Sequence, residues 1–256
     1  MNNFVLRLLP IQLILALALS PTSILTAQNT AQLDQWTKAI NNTDTQAIQK
    51  AYRSDALVIL TPESVIEGNS SISKYWQDSN HKILNPESLF HTVARENRGI
   101  EYELVTYSTS NGKSFTQLLI WQKTADQPSR QLEYTVRVTG DYKAENEKDI
   151  EGRRLEWIKL CNEHNARNLV ESLYSANTLY YNHKPLVKGR EDVIHEYGYM
   201  NNERYSLSLH PLHIEYPSAD TAIEIGQCKG SYGGKYILVW KKESDGIWRI
   251  MMDSNV

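Results

Sequence analysis

Two halves of this chain repeat one plan of residues at a spacing of about 121 positions. The recurring positions are Trp36 and Trp157, Gly68 and Gly189, Tyr75-Trp76 and Glu196-Tyr197, and the closing Trp121 and Trp240. A solenoid repeat would recur every 20 to 50 residues, so a spacing this long indicates a duplicated domain. The duplication constrains the architecture strongly and the function weakly.

The first 27 residues have the pattern of a secretory signal peptide. Arg7 supplies the positive region, residues 8–19 are mostly apolar, and small residues lead to Ala27, the expected last residue before cleavage. A membrane anchor is the alternative, but the apolar stretch is short for about 30 Å of hydrocarbon. No later segment is long and apolar enough to cross a membrane. We therefore expect an exported protein, periplasmic or secreted, with no membrane contact after cleavage.

The remaining residues divide into two domains of ordinary size. The pattern predicts a first domain at 28–138, a charged linker with two glycines at 139–152, and a second domain at 153–256. The formal net charge of the chain is −3, and removal of Arg7 makes it one unit more negative. This balance argues against a nucleic-acid partner, because phosphate binding needs a basic surface.

Each half places helical periodicity ahead of strand-like runs. In the first half, Leu33, Trp36 and Ile40 share one helical face, Asp44 is a good N-cap, and Asn111-Gly112 is a strong hairpin signal. Helices grouped before strands predict an α+β fold, with three helices against a curved antiparallel sheet in each domain. Such a sheet closes into a cone with an internal cavity.

These residues resemble the nuclear-transport-factor-2-like (NTF2-like, cystatin-like) superfamily, and within it the SnoaL-like and DUF4440 branches. The resemblance rests on Trp36, Asn42, Asp44, Ala51-Tyr52, Asp55-Ala56 and Gly68 in the first half, and on Asp245-Gly246-Ile247-Trp248-Arg249-Ile250 in the second. It implies tandem cone-shaped domains. It also implies packing through the open sheet faces, as a pseudo-dimer within one chain or as a homodimer.

The resemblance does not transfer a set of catalytic residues. The first half has residues 132–138 where the family's closing Gly-x-Trp-Arg-Ile pattern stands, and the second half has Asn165 in place of the acidic N-cap. In the first helix, Trp36 and Trp157 occupy the region where the steroid-isomerase relatives carry a tyrosine. Fold similarity alone is poor evidence of activity.

Histidine and tyrosine concentrate in the second half, which holds five of the seven His and nine of the fifteen Tyr. Because histidine can exchange protons near neutral pH, His183, Asp192 and His213 are the candidate acid–base residues. Tyr181, Tyr197 and His164 are the candidate ligand-pocket residues. The alternative is that the histidines are surface or structural residues and that the tyrosines are core or ordinary strand residues.

The remaining motifs are sparse. Cys161 and Cys228 form a candidate disulfide in an oxidising compartment, and two buried free thiols are the alternative. His210 and His213 lie three residues apart on one strand and so face opposite sides, which predicts no metal site. No nucleophile or phosphate-binding motif is present, and no cofactor is expected.

Two hypotheses follow for the function. The first is a non-enzymatic module that binds a small apolar or aromatic molecule, or a protein partner, through one or both cones. The second is a SnoaL-like isomerase, cyclase or hydrolase that uses His/Asp proton transfer in the second domain. The histidine and tyrosine bias predicts that the second domain holds the functional pocket and that the first is mainly structural.

Overall fold

The computed structural model describes the backbone of residues 21–123, 128–182 and 185–256, with side chains from Ala31 onward. The predicted signal peptide lies mostly outside these residues, and the first described helix begins at Pro21. Among the described residues, the structure has no helix that combines the length and the apolar character needed to cross a membrane.

The first domain has three helices and a six-stranded sheet. Its elements are α1 Pro21–Asn41, α2 Thr45–Ala51, β1 Tyr52–Thr61, β2 Ser64–Glu67, α3 Asn69–Asp78, β3 Ile83–Arg95, a 3₁₀ turn Glu96–Arg98, β4 Ile100–Thr109, β5 Ser114–Gln122 and β6 Ser129–Val138. The strand order is β2-β1-β6-β5-β4-β3.

The second domain repeats this topology. Its elements are α4 Lys143–Cys161, α5 Ala166–Leu173, β7 Tyr174–Tyr181, β8 Val187–Lys188, α6 Arg190–Glu196, a 3₁₀ turn Tyr197–Asn201, β9 Leu207–Ser218, β10 Thr221–Gly230, β11 Lys235–Lys242 and β12 Trp248–Ser254. The strand order is β8-β7-β12-β11-β10-β9. The α+β fold class with tandem domains, predicted from the sequence, is therefore confirmed.

Two details of the prediction are corrected. Each sheet contains one parallel pair, β1 with β6 and β7 with β12, because the last strand returns beside the first. The expected linker 139–152 becomes helical at Lys143, since α4 buries Asn146, Ile150, Arg154 and Trp157 on one face. Polar residues occupy two of these four positions, so the apolar periodicity that signals a helix is weak there.

An asparagine at the end of the first helix joins each helical layer to its sheet. Asn41 donates from Nδ2 to the carbonyl of Ile83 at 2.9 Å and accepts from the Ile83 backbone N–H at 2.7 Å. Asn162 makes the same pair of bonds with Leu207, both at 3.0 Å. Because both contacts are made to the first residue of an edge strand, they set where that strand begins relative to the helices.

Local turn chemistry is also duplicated. Asp44 caps α2 and Asn165 caps α5, each accepting the backbone N–H three residues later. The cap predicted at Asp44 is confirmed, and asparagine performs the same role in the second domain. Gly68 and Gly189 adopt φ of 86° and 83°, a conformation that favours glycine. These matched positions explain why the repeat can be recognised in the sequence.

The two sheets pack face to face. Helices cover one face of each sheet, and a shared apolar core lies between the opposite faces. Leu104, Ile120 and Leu132 of the first domain join Ile223 and Val239 of the second in this core. Since both faces of each sheet are buried, central strands read as continuous apolar runs, as in residues 118–121.

Candidate functional site

A buried polar cluster occupies the interior of the second domain. The Tyr174 hydroxyl donates to Asp253 Oδ2 at 2.7 Å, and the Tyr197 hydroxyl donates to the same oxygen. The two tyrosine oxygens lie 3.0 Å apart, and Trp157 Nε1 donates to the Tyr174 hydroxyl at 3.0 Å. β7, α4, β12 and the turn after α6 thus converge on one carboxylate.

Burial controls the ionisation of this cluster. It raises the pKa of Asp253 to about 6, although the hydrogen bonds from Tyr197 and Tyr174 act to lower it. Burial, and next the charge of Asp253, raises the pKa of both tyrosines well above the ordinary value. The tyrosines therefore stay protonated as donors, whereas the carboxyl can gain or lose a proton near neutral pH.

The cone interior beside this cluster is almost filled. Tyr197, Asp253 and Cys228 border an inner void of about 20 Å³, together with aromatic and aliphatic side chains around them. That space accommodates roughly one water molecule. The inner void is therefore too small to hold an organic ligand.

A larger outer cavity of about 350 Å³ lies next to the inner void. Its walls are Arg95, Arg98, Tyr180, Asn182, Tyr199, Tyr232, Asn255 and Val256. Tyr199, Tyr232 and Asn255 border both spaces, so the outer cavity and the inner void share part of their walls. This volume lies within the usual range of small-molecule sites, about 300–1,000 Å³.

The first domain contains the equivalent cluster with an arginine added. Burial raises the pKa of its carboxyl, Glu133, and the charge of Arg130 acts to lower it. Trp36 Nε1 and Trp76 Nε1 donate to the Tyr52 hydroxyl, which donates to Glu133 Oε2 at 2.6 Å. Arg130 Nη1 lies 2.9 Å from the same carboxylate oxygen and is fully buried. The Arg130 guanidinium fills this interior and stacks 3.9 Å from the ring centroid of Trp36.

One position accounts for the difference between the domains. Arg130 pairs with Tyr52 across the parallel strands, and Ile250 pairs with Tyr174 at the matching place. The first domain therefore holds a buried ion pair. In the second domain Asp253 is held by tyrosine hydroxyls and by backbone, without an arginine.

Two of the three predicted acid–base residues, Asp192 and His213, lie in the part of the chain that the structure describes. His183 lies outside the described residues. Asp192 is exposed on α6. His213 stacks on Phe90 of the first domain, with centroids 4.9 Å apart, and its Nε2 lies 2.5 Å from Glu215. Because the neighbouring Ile214 packs into the second-domain core, His213 lies on the opposite face of its strand.

Of the three predicted pocket residues, Tyr197 alone borders the described second-domain cavities. Tyr181 belongs to the core between the sheets, where its hydroxyl accepts from Gln131 Nε2 at 2.6 Å. His164 lies in the turn between α4 and α5 with φ of 58°, matching Thr43 at 55°. Tyr181 and His164 therefore do not line these two cavities, because the Tyr181 side chain lies on the inter-sheet face of β7 and His164 lies in a helix–helix turn.

The predicted disulfide is not formed. Cys161 and Cys228 are buried free thiols, and burial raises the pKa of each to about 12. Their thiolate fraction near neutral pH is very small, so neither is a good nucleophile. Within the described part of the chain, no group of three or more His, Cys, Asp or Glu side chains is arranged to hold a metal ion.

Sequence reasoning missed the residues that define the site, among them Tyr174, Asp253 and Arg95. A usable signal existed for two of them, since Tyr52 and Tyr174, like Glu133 and Asp253, recur at nearly the repeat spacing. Buried polar residues that recur with the fold are candidates for one shared hydrogen-bond network. Arg95 has no such signal, because it reaches the site through domain packing.

Comparison with known proteins gives a likeness in fold. No family model matches the chain, and no curated protein matches it. A domain of unknown function with a cystatin-like fold from Nostoc punctiforme aligns at 14% identity and TM-score 0.39, over 50% of this chain and 87% of that one.

Other solved structures give similar values. An NTF2-like protein of unknown function from Silicibacter pomeroyi aligns at 14% identity and TM-score 0.39, over 45% of this chain and 98% of that one. An NTF2-like protein of unknown function from Shewanella baltica aligns at 9% identity and TM-score 0.38, over 48% and 99%. The solved structures that this chain resembles are thus repeatedly described as NTF2-like or cystatin-like, and each spans about half of it.

Proposed function

We propose that this chain is an exported, non-catalytic module that binds a small molecule in the outer cavity of the second domain. The observation that carries the proposal is the cavity of about 350 Å³ walled by Tyr180, Tyr199 and Tyr232. Tyrosine rings offer apolar area, and the amides of Asn182 and Asn255 in the same wall hold the Tyr180 hydroxyl in place. This combination suits a planar ligand of modest size.

The asymmetry between the domains supports the same site. In the first domain Arg130 pairs with the buried carboxylate and fills the interior. In the second domain the carboxylate of Asp253 stays titratable beside the inner void. A binding function centred on the second domain fits this division.

Acid–base catalysis at Asp253 is the second candidate. The observation in its favour is a carboxyl with a pKa of about 6 beside two tyrosine donors, which is a suitable pair of groups for proton transfer. A substrate must contact the carboxyl for that chemistry, and the adjoining void has room for about one water. Catalysis would therefore require the side chains around the void to move apart, whereas binding in the outer cavity requires no such movement.

A thermal-shift screen tests the binding proposal. A panel of small aromatic, aliphatic, neutral and charged molecules is expected to contain compounds that raise the melting temperature, because a ligand of the native state stabilises it. Tyr199→Ala should abolish the shift, since it removes a wall of the cavity. Tyr142→Ala, a tyrosine outside the cavity, should preserve it. The proposed site would be rejected if no compound raised the melting temperature. It would also be rejected if Tyr199→Ala and Tyr142→Ala lost the ligand-induced shift equally.

Export is tested separately. Expression of the full chain in a bacterial host, followed by cell fractionation and mass measurement, should give an exported product that begins at Gln28. A full-length product retained inside the cell would reject the export proposal and leave the binding proposal unaffected.

A further inference from the structure

The outer cavity is built from both domains. Arg95 ends β3 of the first domain and Arg98 lies in the 3₁₀ turn that follows, and both line a cavity otherwise walled by the second domain. The two sheets pack face to face, and the turn that follows β3 borders this cavity. The second domain alone would lack the two cationic groups of its cavity.

Arg95 is held in a defined position. Its Nη2 donates to the Tyr232 hydroxyl at 2.8 Å, and its guanidinium carbon lies 5.5 Å from the Tyr232 ring centroid. The Tyr232 hydroxyl in turn donates to the backbone carbonyl of Asn255 at 3.1 Å. This chain of contacts orients the guanidinium before any ligand arrives, which lowers the entropic cost of binding.

In the described part of the chain, neither arginine is paired with a carboxylate. Among the described residues, no Asp or Glu oxygen lies within 4.0 Å of Arg95 or Arg98, whereas Arg154 and Arg249 are each paired with acids. No Asp or Glu side chain belongs to the described lining of the outer cavity either. Two cationic side chains thus share one concave, tyrosine-lined space whose described side chains include no Asp or Glu, and Val256, the last residue of the sequence, also borders it.

We propose that the outer cavity recognises small aromatic carboxylates, with the carboxylate on Arg95 and Arg98 and the ring against Tyr199 and Tyr232. A guanidinium presents parallel N–H donors whose geometry matches a carboxylate, and the tyrosine faces accept a planar ring. This inference rests on the proposed binding function and adds the chemical class of the ligand. It also assigns to the first domain a direct part in recognition.

Benzoate and benzamide test the inference, because they share shape and differ in charge. Each is titrated into the full two-domain protein at constant ionic strength and followed by NMR chemical shifts. Wild type should bind benzoate about tenfold or more tightly than benzamide, as expected for charge-assisted hydrogen bonds. Arg95→Gln should remove most of that preference. Arg98→Gln, at an exposed position, should reduce it, and Arg137→Gln, an exposed arginine on β6, should leave it unchanged.

The outcomes separate the two proposals. Equal affinity for both compounds, or no binding of benzoate, would overturn the carboxylate inference. The binding function would still stand if the mixed panel yields a ligand that Tyr199→Ala loses. Circular dichroism checks the fold of each variant, and Arg98→Gln keeps the test decisive if Arg95→Gln fails to fold. An equal effect of Arg137→Gln would also overturn the inference, because it would show a general charge effect.

Discussion

Replacement of Asp253 by Asn probes the buried cluster through its effect on stability against pH. Burial raises the pKa of this carboxyl to about 6 from an ordinary value of 3.8. Folding therefore favours the protonated form. The resulting contribution to stability is complete below about pH 3.8 and is lost as the pH rises through about 6.

The magnitude follows from the difference between the two pKa values. At about 1.4 kcal/mol for each pKa unit, the full contribution of Asp253 is about 3 kcal/mol, and it changes by about 2.5 kcal/mol between pH 4 and pH 8. Asn stays neutral at every pH, and its carbonyl oxygen can still accept from Tyr174 or Tyr197. The free energy of unfolding of the variant minus that of wild type should therefore rise by about 2.5 kcal/mol over this range.

Urea unfolding at a series of pH values, followed by tryptophan fluorescence, measures this difference curve. Asp245→Asn is the control, because Arg249 lowers the pKa of the exposed Asp245 to about 2. Its contribution is present above about pH 3.8 and is lost as the pH falls toward 2, so its curve should be flat between about pH 4 and pH 8. A flat or falling curve for Asp253→Asn would refute the reasoning, as would an NMR titration of Asp253 with a midpoint below about 4.5.

Three further expectations concern the framework. Arg130→Met should cost about 3–5 kcal/mol in urea unfolding because it leaves Glu133 buried without its counterion, and adding Glu133→Leu should recover part of the loss. If the single variant is as stable as wild type, the ion pair does not have this role. Asn162→Ala should cost about 1–3 kcal/mol, since two hydrogen bonds to an edge strand are lost; a change below about 0.5 kcal/mol would contradict this. Cys161 and Cys228 should resist a thiol reagent at pH 8 until the protein unfolds, because burial raises both pKa values to about 12; rapid labelling of the native protein would disprove it.

Much of the fold could be read from local patterns. The periodicity around Trp36, the cap at Asp44 and the hairpin at Asn111-Gly112 depend on residues close in sequence, and the structure has the corresponding elements. The start of α4 was missed because Asn146 and Arg154 are polar yet buried. Such positions become visible only when their partners on other elements are known.

The candidate site was less accessible to sequence reasoning. The number of histidines in the second half led to the prediction of His213, which packs against the first domain. The buried carboxylate of Asp253 was not predicted as a site residue. A residue type indicates what chemistry is available at a position. Its surroundings decide whether that chemistry can be used, since burial and neighbouring charge set ionisation.

The sequence by itself determined the duplication, the α+β class and the order of elements in each half, because helix periodicity, caps and turn residues act over a few positions. Only the tertiary structure decided that Arg130 pairs with the buried Glu133 while Asp253 has no arginine beside it, and that Arg95 of the first domain lines a cavity of the second. These features arise from contacts between residues distant in the chain. Their energies depend on burial and approach distance, which no local pattern contains.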